Sequence, residues 1–137
     1  MGPFNASREL FVVRGSESFA SAQGARYAPG VSAETVGAES LFLGLITLPA
    51  GGRTKAHAHR HETAHYMLHG GEVELWIGAR LAHRCVARPG DYLFIPAGIP
   101  HVAVNRGSDP AVFVGARSEA STRESVTMLP ELDDLVP

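Results

Sequence analysis

Five of the seven histidines fall within KAHAHRHETAHYMLHG, residues 55–70. A neutral imidazole offers a lone pair, so histidines that converge can hold a divalent transition metal. His57 and His59 are two residues apart. On a strand that spacing sends both rings to one side. Glu62 follows them, a carboxylate within reach of a hairpin return. The third imidazole, His101, lies in GDYLFIPAGIPHVAVN, residues 90–105, where Pro96 and Gly98 turn the chain just before it. A third imidazole from a different strand would complete a facial set that leaves positions for water or substrate. That openness separates a catalytic metal site from a structural one.

The elements that must position these rings are short. The apolar runs Leu10–Arg14, Leu41–Leu48, Ala64–His69, Glu72–Ile77, Leu81–Ala87, Tyr92–Ile95, Val102–Val104 and Ala111–Gly115 read as strands between Gly, Pro and Asp clusters. No stretch sustains a helical period, and the nearest candidate is Ser118–Glu124. Residues 15–40, rich in Gly, Ala and Ser, read as extended segments and loops at an edge. The acidic tail Pro130–Pro137 reads as loosely packed. Many short strands at this spacing make an all-β sandwich or barrel.

Bulk numbers narrow the function classes. A chain of 137 residues with 45% hydrophobic and 19% charged residues suits one domain with a real core. A formal net charge of −2 gives no basic footprint for nucleic acid. No run approaches the roughly 18 apolar residues of a membrane span, and the start lacks the layout of a secretory signal. Cys85 is the only cysteine, which excludes an internal disulfide and a cysteine-based zinc site. A cytoplasmic location is the expectation.

At the two histidine stretches the chain resembles the cupins, small jelly-roll β-barrels with a metal in the mouth. Their second motif is matched in full by Gly90, Pro96, Gly98, His101 and Asn105. Their first motif is matched by Gly51, His57, His59 and Gly70, but not by the acid. Glu62 comes one residue early, and Thr63 occupies the usual acid position. One step along a strand flips a side chain to the other face. Either a bulge at residues 60–62 turns Glu62 inward, or the inward face carries Thr63, His65 and Met67. The fourth metal ligand is therefore open among Glu62, His65 and His61. The resemblance implies a single all-β jelly-roll domain. It consists of N-terminal strand and loops at 1–40, a barrel at 41–129 with motifs at 51–70 and 90–105, and a tail at 130–137.

The resemblance further implies one divalent metal, Zn, Fe, Mn, Ni or Co, held by His57, His59, His101 and Glu62. The small-molecule substrate would be oxygen-rich. The first reading is Lewis-acid activation of an isomerase, lyase or polyketide-cyclase type, with His65 as the residue that moves a proton. A non-haem iron dioxygenase is the second, favoured if Glu62 is a true ligand. A non-enzymatic small-molecule binding module is the third. A homodimer is implied, with Glu9–Arg14 resembling an exchanged strand. Phe42, Met67, Leu75, Phe94 and Phe113 are candidates to line the pocket. Of the remaining residues, His69 and His83 read as surface groups and Cys85 as a small buried hydrophobe. Arg53, Arg80 and Arg84 read as solvated, Tyr66 and Trp76 as core or dimer-face aromatics. Asp91 reads as turn chemistry and Asn105 as a structural hydrogen-bonder.

Overall fold

The computed structural model describes residues 7–9, 11–15 and 17–137. The described residues form thirteen strands, one short α-helix and a terminal 3-10 turn. β1 (Ser7–Glu9) and β2 (Val12–Arg14) make a separate hairpin. The expected first strand therefore starts at Leu10, which lies outside the described residues, and its Val12–Arg14 part pairs with the chain's own Ser7–Glu9. β3 (Phe19–Ala20) and β4 (Arg26–Val31) precede α1 (Ala33–Val36), and β5 is Phe42–Leu48. Then come β6 (His57–Ala58), β7 (Thr63–His69), β8 (Val73–Ile77), β9 (His83–Ala87) and β10 (Tyr92–Ile95). β11 (His101–Val104), β12 (Ala111–Arg117) and β13 (Thr127–Met128) complete the set.

Two antiparallel sheets face each other. One has the order β10-β7-β12-β5-β4-β3, the other β13-β6-β11-β8-β9. Strands far apart in sequence are neighbours, as in a jelly roll, where closure of two sheets hides the edges. Alternation follows the pleat. In β5, Phe42, Ile46 and Leu48 point to the core, while Leu43 and Leu45 point out. Met67, Val73 and Ala111 fill the centre between the sheets. No helix among the described residues is long and apolar enough to cross a membrane.

Several expectations are corrected. Residues 15–40 do supply extended segments at a sheet edge, β4 and β3 being the last two strands of the six-stranded sheet, but Tyr27 of β4 is buried in the core. Ser118–Glu124, the nearest helical candidate, forms no helix, in keeping with the missing helical period. The tail is not loose: Pro130–Leu135 forms the 3-10 turn, and Leu132 and Val136 are buried against Ala56, Val102 and Val104. Arg53 is not solvated, since its guanidinium donates to the carbonyls of Val136 at 2.9 Å and Asp133 at 3.1 Å. Cys85 is exposed, because its strand lies at the edge of the five-stranded sheet.

Candidate metal centre

Backbone pairing brings the two histidine motifs together. His101 opens β11 directly opposite His57 of β6, and opposite Ile77 of β8 on its other side. Thr54 extends the pairing: its N–H donates to Ala103 O at 2.9 Å, and its Oγ1 accepts from the Ala103 N–H at 2.9 Å. The Pro96–Gly98 turn is tied across, with Gly98 N–H donating to His59 O at 2.7 Å. Gly98 has φ of +78°, the left-handed region that favours glycine. Asn105 anchors the far end of the motif. Its Nδ2 donates to Leu48, Pro49 and Asp109 carbonyls at 3.1, 3.2 and 2.9 Å, and its Oδ1 accepts from Gly107 N–H.

The result is a tight cluster of His57, His59 and His101, all buried, whose ligand atoms lie within 4.8 Å of one another. Ring centroids are 4.2 Å apart for His57 and His101, and 4.8 Å for His57 and His59. Each ring is fixed by its Nδ1, which meets a main-chain carbonyl: Lys55 O at 2.6 Å, Ser125 O at 2.9 Å and Ile99 O at 3.0 Å respectively. A carbonyl only accepts, so each Nδ1 carries the hydrogen and each Nε2 keeps its lone pair. That tautomer is what a metal-ligating histidine needs. Burial, reinforced by the neighbouring rings, holds His57 down to about 3. Burial likewise holds His101 down to about 4 and lowers His59. All three rings are therefore neutral near pH 7 and available as ligands. The donor set fits a divalent transition metal.

Glu62 does not join this cluster. It is exposed, because β7 begins at Thr63 with that side chain turned inward and buried. No bulge brings Glu62 back. The carboxylate near the histidines is Glu124, whose Oε2 lies 3.5 Å from His59 Nδ1 and 3.3 Å from His61 Nε2. His59, His61 and Glu124 make a second close group behind the first. Glu124 Oε1 accepts from Tyr27 Oη at 2.8 Å and Gln23 Nε2 at 3.0 Å. Arg117 Nη1 stands 3.4 Å from Oε2. Burial opposes the charge on Glu124, but His61, His59, Arg117 and Tyr27 together hold it down to about 2. His61 is raised in return by that carboxylate. Glu124 carried no sequence signal, since it sits in an irregular segment 65 residues beyond His59, beside a Ser125 whose carbonyl is the other partner of the same ring.

The histidines open into a cavity between the sheets with about 80 Å³ open to water centres. Its walls are mostly apolar, among them Phe42, Leu48, Leu75, Ile95 and Phe113. Three of the five anticipated lining residues are there. Met67 packs in the core away from the cavity, and Phe94 points out of the sheet, 58% exposed. His65 reaches the cavity from β7, opposite Gly115. A Cβ at Gly115 would meet His65 Cδ2 at 3.3 Å and Ile46 Cδ1 at 2.5 Å, so only glycine leaves the ring this room. His65 is held down to about 4, first by burial and then by His101. His69 and His83 are exposed.

A cupin-domain family model matches residues 44–116, just over half of the chain. No curated protein sequence matches. Among solved structures, the cupin domain of Schizosaccharomyces pombe Cnp3 superposes with a TM-score of 0.59 at 16% identity, over 69% of this chain and 61% of that one. The lyase DddQ of Ruegeria pomeroyi, named for DMSP, gives 0.55 at 23% identity, over 66% and 44%. Oxalate decarboxylase of Bacillus subtilis gives 0.67 at 19% identity, over 83% and 30%. The chain thus spans from under a third to about three fifths of these proteins, and at such identities the likeness is one of fold.

Proposed function

The chain belongs to the cupin family, and we propose that it is a divalent-metal-dependent enzyme acting on a small oxygen-rich molecule by Lewis-acid activation. The observation that carries this reading is the common orientation of three buried histidines, each Nδ1 spent on a carbonyl and each Nε2 free. His57, His59 and His101 would hold the metal. A bound divalent ion supplies polarisation of a carbonyl or stabilisation of an enolate. With three neutral ligands and no carboxylate among them, the centre keeps its positive charge, which suits that work. Glu124 orients His59 and balances Arg117 rather than ligating. His65 lines the cavity, its buried Nδ1 has no hydrogen-bond partner, and it moves a proton there as a neutral base. The apolar walls exclude water from the exchange. An isomerase, lyase or cyclase step fits these parts, and the similar folds named above include a lyase and a decarboxylase.

The exposed position of Glu62 removes the feature that favoured a dioxygenase. Two measurements test the Lewis-acid reading. Metal analysis of purified protein is expected to find about one divalent ion per chain, lost in His101→Ala. Zinc-loaded protein is expected to exchange deuterium at the carbon beside a carbonyl in small hydroxy-ketones, and His65→Phe is not. Turnover only with ferrous iron and oxygen would overturn it.

We also propose that the chain forms a homodimer through the outer face of the six-stranded sheet. Leu43, Leu45, Leu68, Tyr92 and Phe94 are exposed there, with no charged residue between them on β5, β7, β10 and β12. Six strands at about 4.8 Å spacing give a face of roughly 24 Å by 20 Å.

A further inference from the structure

The polar atoms that line the cavity are almost all committed. Gln23 and Tyr27 donate to Glu124, Thr54 pairs with Ala103, and the three clustered histidines spend Nδ1 on carbonyls. Arg117 is the one permanent cation among the lining residues. It is spent too. Its guanidinium donates to the carbonyls of Glu119 and Ser121, faces Glu124, and stacks 3.7 Å above the Phe42 ring centroid. Two lining residues each carry a buried polar atom with no partner: Thr63 Oγ1 and His65 Nδ1. Thr63 is 94% buried by its 6% exposure, and it stands where the family motif would carry its acid. An unpaired buried hydroxyl is costly, and a native chain keeps few of them.

The geometry points to Thr63 as a specificity-determining residue: its hydroxyl takes a hydroxyl or carbonyl oxygen of the substrate, whose remaining body is apolar and bears no second charge. This rests on the metal reading above, which places the chelating head of the substrate at the three histidines. Three features of the cavity support it. A hydroxyl both donates and accepts, so Thr63 serves either kind of neutral oxygen. A second carboxylate would enter a pocket whose only cation is already neutralised by Glu124. Its desolvation would have no compensation. The apolar walls from Phe42 to Phe113 welcome a hydrocarbon body instead.

The test uses zinc-loaded protein and salicylate, whose carboxylate and adjacent hydroxyl form the chelating head. Calorimetry compares salicylate with all positional isomers of its derivatives that carry a second hydroxyl elsewhere on the ring, and of those that carry a second carboxylate there. At least one added hydroxyl is expected to tighten binding by about three- to tenfold, the worth of one good hydrogen bond. The added carboxylates are expected to weaken it by tenfold or more. In Thr63→Val the added hydroxyl no longer tightens binding relative to salicylate measured in the same variant. Thr63→Val is also expected to melt no lower than the parent, since it deletes an unsatisfied group. A gain that survives in Thr63→Val, no gain at any ring position, tighter binding of the dicarboxylates, or no binding by any isomer overturns the assignment. Zinc content, measured in the same samples, reports on the centre separately. Salicylate binding that ignores zinc removal overturns the centre, and the Thr63 assignment with it.

Discussion

Glu124 keeps its charge in a buried place because Tyr27, Gln23, His61 and Arg117 all turn polar hydrogens toward it. Its carboxylate lies against His59 Nδ1, so it helps fix the ring whose other nitrogen faces His57 and His101. Partners of this kind contribute about ten- to a hundredfold to metal affinity. Glu124→Gln is expected to weaken zinc binding by at least about tenfold in a chelator competition, whereas Glu62→Gln leaves it unchanged. Equal effects of the two substitutions would contradict the placement. His57 and His59 were legible from their spacing, and His101 from the turn that precedes it. Glu124 was not, because nothing local marks a carboxylate that reaches its partners from an irregular segment. The choice among Glu62, His65 and His61 left out the acid that the fold brings in.

At the scale of strands and turns, two polar clamps hold the sheet that bears the histidines. Asn105 joins the end of β11 to the end of β5 and to the turn before β12. Asn105→Ala strands three carbonyls and the Gly107 N–H, and is expected to lower unfolding stability by about 2–4 kcal/mol in urea titrations. Glu74 of β8 pairs with Arg106 at 2.9 Å and with Arg84 of β9 at 3.2 Å. Those guanidiniums hold its carboxyl down to about 2, from an ordinary 4.5. A depressed folded-state pKa stabilises above the unfolded value and loses that contribution as pH falls toward the folded one. The penalty of Glu74→Gln is therefore expected to be full above pH 4.5 and to fade toward pH 2, read from urea midpoints at each pH. The strands of the barrel were mostly visible as apolar runs. β4 was hidden, because Pro29 and Gly30 interrupt its alternation. Phe94 was assigned to the wrong face for a related reason: Tyr92 and Phe94 point outward while Leu93 and Ile95 turn in, and apolar character alone gives no parity.

For the whole molecule, the proposed reading would give association to the apolar outer face and chemistry to the inner cavity. Leu45 sits near the centre of that face, paired with Val114 on one side and Ala28 on the other. Leu45→Lys is expected to turn a dimer into a monomer in sedimentation velocity while zinc content stays the same; a parent protein that sediments as a monomer at tens of micromolar would refute the interface. β7 belongs to both surfaces, with Thr63 and His65 inward and Ala64, Tyr66 and Leu68 outward. The Tyr66 ring rests 4.9 Å from that of Tyr92 on the far side of this single layer. A fluorine label on Tyr66 would thus be a silent observer of cavity occupancy, shifting its resonance when a guest settles against the strand's other side while touching no guest itself.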